Sequence, residues 1–271
     1  MLNKTKLSIA LLAAGSALLA ACGGGSSGPT ITGAKPEGVY RLVSSTGNVD
    51  VLMLENNDAW ITSSTQLAAG PSLSTVFSAK SGSSNGSKYS SGDMKSYAPA
   101  GTVVNGSLNG DYVAGTSFTG VVAAGIVAST FAATSPPAAV FNYNTPVDFA
   151  KITGDWTGMT LGADSGTLTI TANSAGAALT GVFDGCTISG QIKQRASNKN
   201  VFDVDMSYEV NTTCAKSGKS FKGHALSYTV EVPTTAAGTT LVSKNQLIIV
   251  GTTADRASAE AFIAQKDVAV P

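Results

Sequence analysis

The chain has 271 residues, of which 13% are charged, and its 17 basic residues equal its 17 acidic ones in number. This balance provides no basic field for nucleic acid and no polybasic patch for a membrane surface. The 30 glycines, together with abundant Ser, Thr and Asn, favour strands and tight turns over helices.

The first 21 residues have the layout of a secretory signal peptide. Lys4 and Lys6 precede an apolar run over 7–21 that is broken only by Ser8, Gly15 and Ser16. The run is shorter than the roughly 20 apolar residues that a bilayer core requires, and no charged stop-transfer flank follows it. We therefore predict that residues 1–21 are removed.

The end of this run carries a motif. Leu19-Ala20-Ala21-Cys22 resembles the lipobox of bacterial lipoproteins. The resemblance implies that the Cys22 thiol takes a diacylglycerol, that cleavage precedes Cys22, and that the new amine is acylated. Two or more buried acyl chains give stable anchoring. The alternative is an ordinary signal peptide with an incidental cysteine.

The same resemblance implies a location. In such lipoproteins a residue other than Asp after the cysteine, here Gly23, is associated with transfer to the outer membrane. We therefore expect a lipid-anchored protein of the bacterial cell envelope. Residues 22–36, rich in Gly and Ser, are predicted to be a flexible tether.

The mature chain has 15 basic residues against 17 acidic ones once Lys4 and Lys6 are removed. Its remaining residues suffice for one large all-β domain or two small ones. Prolines interrupt the strand pattern between Pro136 and Pro146, so we place a domain boundary there. The N-terminal domain is predicted to cover 37–146 and the C-terminal domain 147–271.

The N-terminal half shows apolar and β-branched segments separated by turn residues. A mobile hairpin loop is predicted over 81–92, where Ser, Gly and Asn dominate. The predicted strands cover 38–43, 49–55, 59–62, 74–79, 101–108, 112–118 and 126–131.

The C-terminal half contains the clearest strand, 201–210, where inward Phe202, Met206 and Tyr208 alternate with polar residues. Further strands are predicted over 166–172, 179–183, 186–192, 226–232 and 246–250.

Residues 254–258 are predicted as a turn and 261–266 as a last strand closing a barrel, with a helix over 254–266 as the alternative. Short links between consecutive strands make antiparallel meanders. The fold class is all-β, with two tandem meanders or small up-and-down barrels.

A faint internal repeat supports two units. Gly38-Val39-Tyr40 opens the first half, and Gly154-Asp155-Trp156 opens the second. The latter looks like the Gly-x-Trp that begins the first strand of lipocalins, up-and-down barrels that hold small apolar ligands. This resemblance implies a barrel and carries over no binding residue. More broadly, residues 142–146, 152–158 and 196–202 resemble uncharacterised proteobacterial β-rich lipoproteins.

The chain has three cysteines. Lipid on Cys22 leaves Cys186 and Cys214, which should form a disulfide in an oxidising compartment. Such a bond stabilises a fold by about 3–4 kcal/mol on the chain-entropy model. Two buried thiols or a metal pair are the alternatives, and the metal is disfavoured by a single histidine and the absence of a CxxC motif.

Few residues suggest catalysis. His224 is the only histidine and is interpreted as an ordinary strand residue. Ser84 matches the GxSxG pattern, yet it lies in the predicted loop without the strand and helix that would expose it. Asp203 and Asp205 are interpreted as solvated residues on the outer face of a strand. No catalytic residue, cofactor or metal is expected.

These patterns favour a non-enzymatic envelope lipoprotein that presents strand faces or hairpin loops to a protein partner. One alternative is a lipocalin-like carrier of a small apolar ligand, which inward Phe202, Met206 and Tyr208 would argue against. Another is a hydrolase, which would require a cleft that brings His224 near a serine and a carboxylate. Trp60 and Trp156 are expected in core packing, or else in the wall of a ligand cavity.

Overall fold

The structure, a computed structural model, describes residues 34–44, 47–67, 70–162, 164–233 and 240–268. The predicted signal peptide, Cys22 and most of the predicted tether lie outside the described residues. The described part is built almost entirely of antiparallel strands, with one short 3-10 helix, Phe149–Lys151.

The first sheet has nine strands. They are β1 (Gly38–Ser44), β2 (Gly47–Met53), β3 (Ala59–Leu67), β4 (Gly70–Lys80), β5 (Ser83–Asn85), β6 (Lys88–Tyr97), β7 (Val103–Val113), β8 (Ser117–Ala124) and β9 (Val127–Thr134). Pairing of β4 with β6, and of β1 with β9, closes eight of them into a ring. The short β5 adds only to β6.

The second sheet is a closed barrel of eight strands in sequence order. They are β10 (Gly154–Thr160), β11 (Ser165–Asn173), β12 (Gly176–Phe183), β13 (Cys186–Gln194), β14 (Phe202–Tyr208), β15 (Ser220–Pro233), β16 (Leu241–Thr252) and β17 (Ala259–Asp267). Closure comes from pairing of β10 with β17. The prediction of two tandem antiparallel barrels is confirmed.

Both barrels begin in the same way. Gly38 and Gly154 have φ values of 147° and 104°, which favour glycine. Two residues later a buried ring points back along the chain: the Tyr40 hydroxyl donates to the Pro36 carbonyl at 2.9 Å, and the Trp156 indole N–H donates to the Ile152 carbonyl at 2.7 Å. The weak sequence repeat therefore corresponds to one local structure used twice.

The second barrel is filled by its own side chains. Phe202, Met206 and Tyr208 are at most 3% exposed and belong to its apolar core, and Phe183 stacks on Phe262 with ring centres 4.9 Å apart. Period-2 alternation places these side chains inside. The first barrel is packed in the same way, around Tyr40, Tyr89, Met94, Leu108 and Phe118.

Both ends of the second barrel are covered. At one end, Phe149 of the 3-10 helix packs on Phe202, with ring centres 5.1 Å apart. At the other end, the connection between β14 and β15 is tied down by a disulfide between Cys186 and Cys214, whose Cα atoms are 5.5 Å apart. The cysteine count predicts this pairing.

The two barrels pack against each other and form one compact unit. A third apolar cluster lies between them and includes Leu52, Trp60, Leu226 and Ile248. Polar groups cross the same interface. Asp50 of the first barrel accepts hydrogen bonds from its own Arg41 at 2.6 Å and from the Tyr228 hydroxyl of the second barrel at 2.5 Å.

Two predicted segments are wrong. The segment 81–92 is not a loop, because it contains β5 and the start of β6. The predicted strand 112–118 is instead the turn between β7 and β8, with Gly115 at φ 65°. At the C-terminus, the turn over 254–258 and the closing strand are confirmed, and β17 replaces the helix alternative.

Candidate functional site

A polar cleft of about 590 Å³ lies between the two barrels. One wall is the outer face of β13, β14 and β15. The other is formed by three residues of the first barrel: Asp58 in the turn before β3, Trp60 on β3, and Lys80 at the end of β4. The volume falls within the range of small-molecule sites, about 300–1,000 Å³.

The strand wall is an ordered grid. Because alternate residues of a strand point to the same face, the in-register pairing aligns nine outward side chains in three cross-strand rows. The rows are Lys193, Asp203 and His224; Gln191, Asp205 and Lys222; and Ser189, Ser207 and Ser220. All nine line the cleft.

The inner row is held by a network that links the barrels. Asp203 Oδ1 lies 3.1 Å from His224 Nδ1 and 2.7 Å from an Arg195 guanidinium nitrogen. Arg195 Nε also donates to Glu55 of the first barrel at 2.7 Å. Burial alone would raise the pKa of Asp203, but hydrogen bonds and charges from His224 and Arg195 outweigh it and hold that pKa below its usual value. Asp203 is therefore a fixed anion.

Trp60 forms the inner end of the cleft. Its side chain is 4% exposed and meets the His224 ring edge-on, with ring centres 6.1 Å apart.

A Ser-His-Asp triad would need a serine beside His224 and a carboxylate. The structure places His224 beside the Asp203 carboxylate in a cleft. These are two of the three groups that a hydrolase would need. The serines of the strand wall nearest in register, Ser207 and Ser220, lie four residues along the strands, roughly 13 Å away. Ser84 instead donates its hydroxyl to Asn57 at 3.1 Å. The described residues therefore do not assemble a Ser-His-Asp triad here.

The sequence interpretation of this region was partly wrong. Asp205 is exposed and pairs with Lys222 at 2.9 Å, as expected of a solvated residue. Asp203 is not free in solvent, since it is half-buried and held by the Arg195 and His224 side chains. Trp60 was expected either in core packing or in the wall of a ligand cavity. In the structure it packs in the apolar cluster between the barrels and also lines the cleft. The pairing of Trp60 with His224 was not predicted.

A second polar cluster lies inside the covered end of the second barrel. Glu260 is fully buried, and its carboxylate accepts from the Lys216 ammonium at 2.7 Å and the Tyr208 hydroxyl at 2.5 Å. Asp184 lies 3.4 Å from the same ammonium. Burial raises the pKa of Glu260 even though Lys216 opposes the shift. This cluster is closed by the disulfide-tied connection, so it is a structural element.

Among the described residues, no group of three His, Cys, Asp or Glu side chains is arranged to hold a metal ion. The helix in this part of the chain is too short to cross a membrane.

Comparisons with known proteins identify no family. The sequence matches no protein-family model, and no curated protein matches it. One solved structure matches the chain, a protein of unknown function from the DUF3598 family of Nostoc punctiforme PCC 73102. It is 10% identical, the match covers 86% of this chain and 94% of that one, and the TM-score is 0.25. The fold itself defines a tandem up-and-down β-barrel protein.

Proposed function

We propose that this is a lipid-anchored protein of the bacterial envelope whose double barrel binds a polar ligand in the cleft between the barrels, without chemical transformation. The observation that carries the proposal is the contrast between two filled barrels and one open, ordered polar cleft. A binding module needs convergent polar groups on a rigid frame, and the paired strands provide that frame.

The anchor rests on the lipobox at Cys22, and the first described residues would continue the tether into the first barrel. The Tyr112 hydroxyl donates to the Ala34 carbonyl at 2.9 Å, and Lys35 donates to the Glu55 carbonyl at 2.7 Å. Ala34 is twelve positions after Cys22, which limits the reach to roughly 40 Å. The cleft would thus work close to a membrane surface.

The carrier of a small apolar ligand is less well supported. Such a carrier holds its ligand inside the barrel, but Phe202, Met206 and Tyr208 occupy that space in the second barrel. The cleft, in contrast, is lined mainly by charged, amide and hydroxyl groups.

The binding role is tested by photo-crosslinking in intact cells. Benzoylphenylalanine at Gln191, inside the cleft, should give a specific adduct of raised mass. The same residue at Thr171, an exposed outer-face position of β11, is the control. Equal labelling at both positions, or none at Gln191, would contradict binding in the cleft.

The anchor is tested separately. Cys22→Ser should abolish palmitate labelling and release the protein from membranes, because the thiol that takes the lipid is gone. Persistent labelling of the variant would rule out Cys22 as the lipidated residue.

A further inference from the structure

We propose that the ligand of the cleft is a neutral saccharide chain, an inference that rests on the proposed binding function. The cleft has no net charge: it is lined by the cations Lys80, Lys193 and Lys222 and the anions Asp58, Asp203 and Asp205. A site for a polyanion or a polycation concentrates one sign of charge. Balanced charges favour a ligand that is polar and uncharged.

The inner end of the cleft is complementary to a hydroxyl group. Trp60 and His224 both line it, and the His224 tautomer that donates from Nδ1 to Asp203 leaves Nε2 as an acceptor. The Nε2 atom has no partner among the described residues. A ligand hydroxyl can donate to this acceptor.

The outer rows extend the same chemistry. Gln191 offers a donor and an acceptor, and Ser189, Ser207 and Ser220 offer hydroxyls that can act as either. The exposed pair of Asp205 and Lys222 adds a strong acceptor beside a strong donor. A ligand with hydroxyls spaced along a chain would meet donors and acceptors in all three rows.

A peptide fits this wall less well. Extended peptides gain much of their affinity by adding a strand to an open sheet edge. Here β14 is hydrogen-bonded on both sides, to β13 and β15, and the barrel is closed. The strand wall therefore offers side chains but no free main-chain edge, which favours a ligand read through its hydroxyls.

The test uses the purified full-length protein in a detergent without a sugar headgroup. Isothermal titration is carried out with three neutral tetrasaccharides, namely chitotetraose, cellotetraose and maltotetraose. At least one should bind saturably. Ser207→Tyr, which places a ring in the cleft, should weaken that binding by roughly tenfold or more. Thr171→Tyr, an outward substitution on β11, should bind like the wild type.

Three outcomes would overturn the saccharide assignment: no binding of any tetrasaccharide, undiminished binding by Ser207→Tyr, or tighter binding of polyphosphate or a neutral tetrapeptide. These results are separable from failure of the proposed function. If Gln191 still gives an adduct in cells while no tetrasaccharide binds, the cleft is a binding site and only the ligand class is wrong.

Discussion

Lys216 is a single residue whose contribution can be measured, because it neutralises the fully buried Glu260. Breaking a buried ion pair leaves an uncompensated charge, and Lys216 is one-quarter exposed, which reduces the effect. We expect Lys216→Met to lower the free energy of unfolding by about 2–4 kcal/mol at neutral pH. Urea denaturation followed by circular dichroism measures this loss.

The loss should depend on pH. Burial raises the pKa of Glu260 and Lys216 lowers it, so that pKa should rise further in Lys216→Met. A carboxyl whose pKa is higher in the folded state stabilises the fold when protonated, and this contribution is lost as pH rises through the folded pKa. The deficit should therefore shrink near about pH 4 and grow toward neutrality. In a Glu260→Gln background the Lys216 substitution should cost much less, and an equal cost would show that the pair is not responsible.

Several residues were predictable and others were not. Phe202, Met206 and Tyr208 point inward because alternation along a strand is a local property. Cys186 and Cys214 follow from counting. Trp60 and His224 lie far apart in sequence, and their contact depends on how two barrels dock, for which neither residue carries a local signal.

At the scale of elements, the connection between β14 and β15 is held over the barrel by the disulfide of Cys214 with Cys186. We expect the double variant Cys186→Ala with Cys214→Ala to lose about 3–4 kcal/mol of stability on the chain-entropy model. Amide exchange should also accelerate in residues 209–219, because their link to β13 is removed. Unchanged exchange there would mean that the disulfide is not needed to hold the connection.

The start of the first barrel gives a second prediction at the scale of elements. Tyr40→Phe removes the hydroxyl that donates to the Pro36 carbonyl and should cost about 1 kcal/mol. Tyr112→Phe removes a hydroxyl bond to Ala34, at the end of the described chain, and should cost less. Thermal unfolding of the two variants shows whether the lost stability comes from the hydrogen bond at the barrel opening or from the loss of any tyrosine hydroxyl.

The elements that were missed share a cause. β14 alternates cleanly, whereas β6 is built from Ser, Gly and Lys with buried Tyr89 and Met94 on either side of a register shift. The shift between Ser91 and Met94 breaks the period of two that marks a strand. Between β7 and β8, the short turn around Gly115 is flanked closely by the apolar strand residues Val113 and Phe118, so the segment resembles one strand.

At the scale of the whole molecule, Arg256 forms a polar link between the barrels outside the cleft. It lies in the turn between β16 and β17, and its guanidinium reaches the Asp93 carboxylate at 2.5 Å and the Ser78 carbonyl at 2.6 Å in the first barrel. In return, the Tyr97 hydroxyl donates to the Arg256 carbonyl at 3.2 Å. The side chain is nearly buried, so these bonds are shielded from water.

Arg256→Gly should therefore weaken the coupling of the two barrels. Glycine accepts the φ of 56° at this position, so the loss reports on the side chain and not on backbone strain. We expect a loss of about 2–4 kcal/mol, because charged hydrogen bonds from a nearly buried side chain are removed. Arg256→Lys keeps the charge but loses the forked guanidinium donors. Its stability should lie between those of the wild type and Arg256→Gly.

The two tryptophans allow the coupling itself to be measured, since Trp60 belongs to the first barrel and Trp156 to the interior of the second. Trp156→Phe leaves Trp60 as the only tryptophan, and Trp60→Phe leaves Trp156. With Arg256 intact, fluorescence in urea should follow one cooperative transition in each single-tryptophan background, apart from the shift that each substitution itself causes. With Arg256→Gly, the midpoints should separate further, because each barrel has its own packed core and the interface no longer enforces joint unfolding. Midpoints that move together would instead show that the apolar cluster between the barrels is sufficient to couple them.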